Sequence, residues 1–506
     1  MIHFNFESKI LRVDKFDINI NGVQLIENDE SIEVRVDVFR SQPVFIFKNS
    51  KNHLFIFDDM SFFNSRKDFK KDIDEVGFWE IILFGNSLWS RTLFSDLLQL
   101  PSASSLKINK SNNEFVIRRY WDFNVMVNEE IVNIEMAANL FDKKLNNIAG
   151  SLDKSETYNI GLSGGLDSRI TLAYLSKYLP HNKIKTFTYA NSKKSLEYTL
   201  SKIISTKLKL SKPFLNIMTR DSYKKALTFL PKMSGGQIGI NHCHIIDSLK
   251  RLPLKNTSHI STYFSDVIFG FESNENVSFE DKLFNPYESK LLEVNYISQK
   301  IKKQILNDSK YLTEGYNPKF GITSLREYIY VTERNQKFHN YLNYIQKKFT
   351  DRSVNFYYNF ELFKFSLSLP TKFKHKKKIE YYILNKYFNS IGSDAIGDIS
   401  SNYFRPDSKM NFADNFKFKS INRINAFLRV LFKGNIQVNN VYQTEELEKI
   451  LHKNFRNELK SSFNILKRIG VFNKSHSFFR SLPLRSKGTS ERYSIITIAN
   501  LFKNES

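Results

Sequence analysis

The residues with the clearest chemical potential sit in one short run, Ser163-Gly-Gly-Leu-Asp-Ser-Arg169. Two glycines let a backbone approach phosphate oxygens without a Cβ in the way. Two hydroxyls can donate hydrogen bonds to the same oxygens. The carboxylate is the odd member, because beside phosphate it is repulsive; it makes sense if it holds Mg²⁺, whose charge bridges the two. The run follows the apolar stretch Tyr158 to Leu162, which reads as a strand, and precedes Ile170 to Leu175, which reads as a helix. Such a junction presents unpaired backbone N–H groups and the positive end of a helix dipole, the physical basis of anion sites. Taken one by one, the same residues also suit a glycine turn followed by an Asp/Ser helix cap. A Walker A loop is excluded, since the sequence has no GxxxxGK[ST].

The surrounding pattern says what must position this loop. From Met1 to about Phe123 short apolar and aromatic runs alternate with polar turns; Pro43 to Phe57 and Leu106 to Ile117 each read as a hairpin, giving an antiparallel β-rich first domain. The period then becomes helical: Glu130 to about Ile148 spaces Ile131, Ile134, Ala137, Leu140, Leu145 and Ile148 along one face. A strand at 158–162, a helix from Arg169, a strand at 184–189 and a helix near 196–208 follow. Alternating strand and helix predicts a mostly parallel α/β sheet whose ligand crevice lies at the carboxyl ends of its strands. From about residue 295 helices dominate. The expected division is 1–124, 125–410 and a basic helical tail, 411–506.

Charge and cysteine content bound the rest. The 506 residues carry a formal charge of +23, which permits anionic partners but is spread through a Lys-, Asn-, Ile- and Phe-rich chain and so reads first as a diffuse basic surface. Residues 401–506 hold 19 Lys plus Arg against 8 Asp plus Glu, and Ile421 to Phe432 is an amphipathic candidate there. One cysteine, Cys243, excludes an intramolecular disulfide and any CxxC pair. His242-Cys243-His244 would point apart on a helix or a strand, so zinc is not expected. Without a signal-like N-terminus or an apolar run of about 18 residues, the expectation is a cytoplasmic protein with no transmembrane segment.

Ser163-Gly-Gly-Leu-Asp-Ser168 after an apolar strand resembles the SGGxDS pyrophosphate loop of the ATP pyrophosphatases, and the trailing Arg169 resembles their asparagine synthetase-related branch. Arg91 to Pro101 followed by Arg119-Tyr-Trp-Asp122 is similar to the end of that family's amidotransferase-like domain. Phe187-Thr-Tyr-Ala190 and Glu197 look like its second strand and the acidic position after it. His259 to Gly270 resembles its GxGSDExFGG stretch: Ser265, Asp266, Phe269 and Gly270 match, whereas Thr262 and Phe264 stand for glycines, Val267 for the frequent Glu and Phe271 for the second glycine. Arg352 and Ser366-Leu-Ser-Leu-Pro370 are similar to the R-x-x-PFLD and LP runs, with Asn355 and Tyr358 where Pro and Asp are usual.

The resemblance implies an adenine nucleotide alpha hydrolase-like synthetase domain behind an Ntn-hydrolase-like domain. It also implies ATP and Mg²⁺ as cofactors, with Ser163, Gly164, Gly165, Asp167, Ser168, Arg169 and Ser265 on the nucleotide and Asp167 and Asp266 on the metal. Tyr263 falls where β-lactam synthetases carry a catalytic Tyr; its structural reading is an aromatic packed beside the nucleotide. Lys409 is the candidate for the lysine that stabilises adenylation. Glutamine-hydrolysing members use an N-terminal cysteine whose own amine serves as its base, and Ile2 stands at that place. The implied activity is therefore AMP-forming amide ligation on a small-molecule, glycan or peptide carboxylate, with ammonia or a substrate amine as nucleophile and room for a homodimer. The alternative is a catalytically degenerate nucleotide-binding protein. Nucleic acid is not the expected partner, because the YWD and FSDVIFG landmarks are foreign to tRNA-modifying pyrophosphatases.

Overall fold

The structure is a computed structural model. It describes residues 22–50, 53–111, 114–190, 195–252, 256–270, 285–317, 320–392, 457–471 and 489–503, the strands Ile2–Asn5 and Ile10–Val13, and positions 193 and 283. Lys409, the amphipathic candidate at 421–432 and Phe271 lie outside the described residues.

Two antiparallel sheets build the first region. One orders its strands Ile10–Val13, Ile2–Asn5, His53–Phe57, Phe45–Lys48, Leu97–Gln99; the other runs Val23–Glu27, Ser31–Val36, Ser104–Asn109, Phe115–Arg119. Both expected hairpins are present, with Phe45 opposite Phe57 and Leu106 opposite Ile117. Alternation explains the layering: Ile46, Leu54 and Ile56 join Val34, Leu106 and Ile108 between the sheets, while Phe45, Phe47, Phe55 and Phe57 face the other way into a core shared with the rest of the chain.

Helices cover that second face. Glu75–Phe84, capped by Asp74 accepting from the Gly77 N–H at 2.8 Å, buries Phe78, Trp79, Ile81, Ile82 and Leu83. Its residues are apolar on almost every side because it packs on helix Thr489–Leu501 as well as on Gln299–Thr313. Helix Thr489–Leu501 buries Tyr493, Ile495, Ile498 and Ala499 against Glu75–Phe84 and Arg220–Ser234. Among the described residues no helix is long and apolar enough to cross a membrane.

The second region is α/β. Strands Phe214–Ile217, Ile184–Ala190, Thr157–Gly161, Thr257–Ser261 and Arg352–Asn355 form, in that order, one sheet in which every pairing is parallel. Sequence periodicity captured the 157–161 and 184–190 strands within a residue or two, and helix Ile134–Gly150 falls where 130–148 was expected. In chain order the parallel strands are arranged 3-2-1-4-5, so the order reverses between Thr157–Gly161 and Thr257–Ser261. Such a switch point opens a crevice at the strands' carboxyl ends, because their connections depart to opposite faces.

Candidate nucleotide site

The two sequence landmarks leave the two strands that flank this switch point. After Gly161 the chain turns through Ser163, Gly164 and Gly165 into helix Leu166–Tyr178. Gly164 has φ +79°, a left-handed conformation that glycine adopts without Cβ strain. The turn is tied by hydroxyls: Ser163 N–H donates to Ser168 Oγ, and Gly165 N–H to Ser163 Oγ, both at a long 3.3 Å. Long bonds of this kind leave donors ready to turn toward a stronger acceptor such as phosphate.

Arg169 was expected on the nucleotide. It is instead fully buried, donating to the Gly164 carbonyl at 2.6 Å and to the Ile391 carbonyl at 3.2 Å. Its guanidinium braces the loop from beneath and fixes the Gly164 peptide, which a flexible ammonium would do less well.

After Ser261 the chain turns through Phe264 into the short helix Ser265–Ile268. Phe264 has φ +80° and is 1% exposed. The phenylalanine thus keeps the backbone conformation that glycine favours, at a cost of roughly 1 kcal/mol that its burial offsets. Its ring packs edge-on against Phe39 (5.2 Å) and Phe363 (5.0 Å).

Asp167 and Asp266 are brought together by a residue the sequence reading did not select. Lys377 Nζ lies 2.7 Å from Asp167 Oδ1 and 2.8 Å from Asp266 Oδ1, with Glu380 Oε2 at 3.7 Å. Burial works against the Lys377 charge, but the three carboxylates outweigh it and hold the ammonium well above its usual range. Burial, with Asp266 adding to it, pushes Asp167 up beyond what Lys377 offsets. At Asp266 burial is overcome by Lys377, with help from the Tyr330 hydroxyl, and the carboxyl is held down. Lys377 belongs to the run Lys374-His-Lys-Lys-Lys378, which reads as a solvated basic face. Lys376 and Lys378 are indeed exposed, but Lys374 is buried and donates to the Gly321 carbonyl at 3.2 Å, and the left-handed backbone at Lys376 and Lys377 (φ +52° and +58°) turns the Lys377 ammonium inward as well.

A cavity of about 190 Å³ connects these groups; Ser163, Asp167, Ser168, Ser265, Asp266 and Tyr263 all line it. Tyr263 stacks on His339 at 5.7 Å, and its hydroxyl accepts from Gln346 Nε2 at 3.2 Å. Burial pushes the phenol up, and an amide partner offers no base. His259 and His339 on the same wall are held neutral, burial pushing each down to about 4. His339 ends a π-helix, Tyr330–His339, a rare form that often marks functional sites. The same helix carries the buried pair Glu333–Lys337 (2.9 Å), with Glu333 accepting from Trp89 N–H and Lys337 donating to the Ser87 carbonyl. The antiparallel region therefore holds the element that shapes one wall of the cleft.

In the His242-Cys243-His244 run Cys243 is buried, His244 packs on Tyr189 at 4.3 Å and His242 on Phe338 at 4.5 Å, yet the two imidazoles stay neighbours, 6.2 Å apart, rather than pointing apart as their spacing suggested. Among the described residues no three His, Cys, Asp or Glu side chains gather at metal-ligating distance. A comparison with protein-family models finds none that matches the chain, and a comparison with curated proteins finds no match either.

Proposed function

We propose that the chain is an ATP-dependent, AMP-forming amide ligase of asparagine synthetase type. In this reading the parallel-sheet region is an adenine nucleotide alpha hydrolase-like domain, and the antiparallel region is an Ntn-hydrolase-like domain lacking the cysteine nucleophile. One observation carries it: Asp167 and Asp266, a hundred residues apart, meet on a single ammonium at the switch point of a parallel sheet, beside a hydroxyl-tied glycine turn.

The residues fit Mg²⁺. Asp167 and Asp266 both line the cleft, and magnesium needs only one or two protein carboxylates when phosphate oxygens and water complete its shell. Asp167 and Asp266 are the residues that would hold it, and the ion would supply charge neutralisation at the departing pyrophosphate.

In the proposed reaction a carboxylate oxygen of the acceptor attacks the α-phosphorus of ATP. The bond to the bridging oxygen breaks and pyrophosphate leaves. Ammonia or a substrate amine then attacks the acyl carbon, AMP departs with the C–O electron pair, and the nitrogen loses a proton. Ser163, Gly165 and Ser168 offer donors to the phosphates. Arg169 positions the Gly164 peptide rather than touching the ligand. Lys377, rather than Lys409, moves its ammonium from the carboxylates onto the charge that develops at phosphorus. Tyr263 forms a wall of the cleft. The acceptor is a carboxylate on a small molecule, glycan or peptide.

ATP/pyrophosphate exchange over a panel of carboxylates tests the reading, with Asp167→Ala as control. Exchange that the substitution abolishes supports it. Nucleotide binding without exchange on any acceptor would leave the degenerate binding protein, and exchange that survives Asp167→Ala would sink the assigned site.

A further inference from the structure

A second hollow lies away from the nucleotide cleft. It is an open cavity of about 620 Å³ lined by both regions of the chain, and it shares Gly22, Asp37 and Tyr120 with a further space of about 290 Å³. Its walls are aromatic: Phe39, Trp121, Tyr358 and Phe360. Phe39 stacks on Tyr358 at 5.0 Å, and both rings pack edge-on against Phe264, so one aromatic layer separates this cavity from the nucleotide cleft.

Two opposite charges face the hollow without touching. Asp37 is held rigidly, Oδ1 accepting from Ser41 N–H at 2.9 Å and Oδ2 from Ser41 Oγ at 2.6 Å. Gly22 makes room for it. A Cβ there would lie 2.2 Å from Asp37 Oδ2, so only glycine leaves this side of the carboxylate open. Lys347 reaches the cavity from the last turn of helix Asn340–Lys347. Among the described residues neither Asp37 nor Lys347 forms an ion pair, although each feels the other's field. Burial raises the Asp37 carboxyl to about 6 and lowers the Lys347 ammonium. Both charges are thus partly desolvated and, among the described residues, compensated by no ion pair, an arrangement that a ligand of opposite charges can relieve.

We propose that this cavity is a second ligand site, built for a small zwitterion with an apolar or aromatic body, the chemistry of a free amino acid. The ligand's ammonium meets Asp37, its carboxylate meets Lys347, and its side chain lies among the four aromatic residues. The inference does not depend on the nucleotide reading, since no polar residue is shared between the two sites.

The test is calorimetric titration of the full chain with L-phenylalanine and L-leucine. Phenethylamine and 3-phenylpropionate, which carry one charge each, are the controls. The amino acids should bind, and removing either ligand charge should weaken binding by about tenfold or more. Lys347→Met and Asp37→Asn should each do the same, while Asp167→Ala should leave binding unchanged. Lys347→Met lies at a half-buried helix end and keeps the test open if the Asp37 variant does not fold. Failure of both amino acids to bind, or single-charge analogues binding as tightly, overturns the proposal. Binding lost only with Asp167→Ala would place the ligand in the nucleotide cleft instead and equally overturn it.

Discussion

Lys377 offers the most discriminating perturbation, because two carboxylates depend on it at once. Its Nζ lies 2.7 Å from Asp167 and 2.8 Å from Asp266. The two carboxylate oxygens are therefore at most about 5.5 Å apart, where unit charges at an effective dielectric of ~20 repel by roughly 3 kcal/mol. Their side chains are 31% and 32% exposed, so solvent reduces the repulsion to about 2 kcal/mol. Lys377→Met keeps most of the side-chain bulk and removes the charge. In chelator it should lower the melting temperature of the α/β region by roughly 4 °C. Magnesium should reverse the loss: at ~100 times its dissociation constant an ion bound only to the folded state adds about 2.7 kcal/mol. The wild-type response should be smaller, because its own ammonium competes for the same carboxylates. Pyrophosphate exchange, if the ligase reading holds, should fall by about 10² to 10³ even with magnesium present, since the ion does not replace a donor at phosphorus. Differential scanning fluorimetry with and without magnesium, on both proteins, reads the first effects. A variant that melts with the wild type and ignores magnesium would show that the carboxylates do not confront each other as charges.

Two further predictions concern the elements around the site. Asp37 has a folded pKa of about 6 against an ordinary 3.8, so its protonated form contributes stability below about pH 4 that is lost as the pH rises through 6. After allowance for solvent in the cavity the loss is about 2 kcal/mol. Urea unfolding at pH 4 and pH 7 should show it in the wild type but not in Asp37→Asn, and an unchanged difference between the two proteins would refute it. At Phe264 (φ +80°), replacement by glycine relieves about 1 kcal/mol of backbone strain and loses ~3–5 kcal/mol of aromatic packing, so stability should fall by about 3 kcal/mol. Phe264→Ala should be less stable again by about 1 kcal/mol, because alanine keeps the strain; the reverse order would mean that residue 264 is not left-handed.

The sequence announced the parts of this molecule whose physics is local. A short strand running into Leu162, a glycine-rich turn and a helix at 166–178 need nothing beyond their own spacing to be recognised. The hairpins at 45–57 and 104–119 are equally local. What escaped was set by tertiary placement. The edge strand Arg352–Asn355 is four residues long with an intermediate-exposed alternation, too short for periodicity to separate from the helices around it. Helix Glu75–Phe84 lies within a region read as strands, because an element buried on nearly all sides loses its polar face and with it the 3.6-residue signal. Arg169 follows the loop in sequence as a phosphate ligand would, yet its side chain goes under the loop; its direction depends on the Ile391 carbonyl, more than two hundred residues on.

Lys377 was hidden for a different reason. A cluster of lysines identifies a positive surface but not which members leave it; Lys374 and Lys377 both turn inward, and Lys377 does so through two consecutive left-handed residues. No propensity of lysine favours that conformation. The three carboxylates that receive the ammonium come from a glycine turn, a second strand end and the lysine's own helix, so the energy that holds the strained turn is available only once the sheet has formed. The strain and the ion cluster therefore stabilise or fail together, and the geometry of the charged site is as cooperative as the fold that carries it.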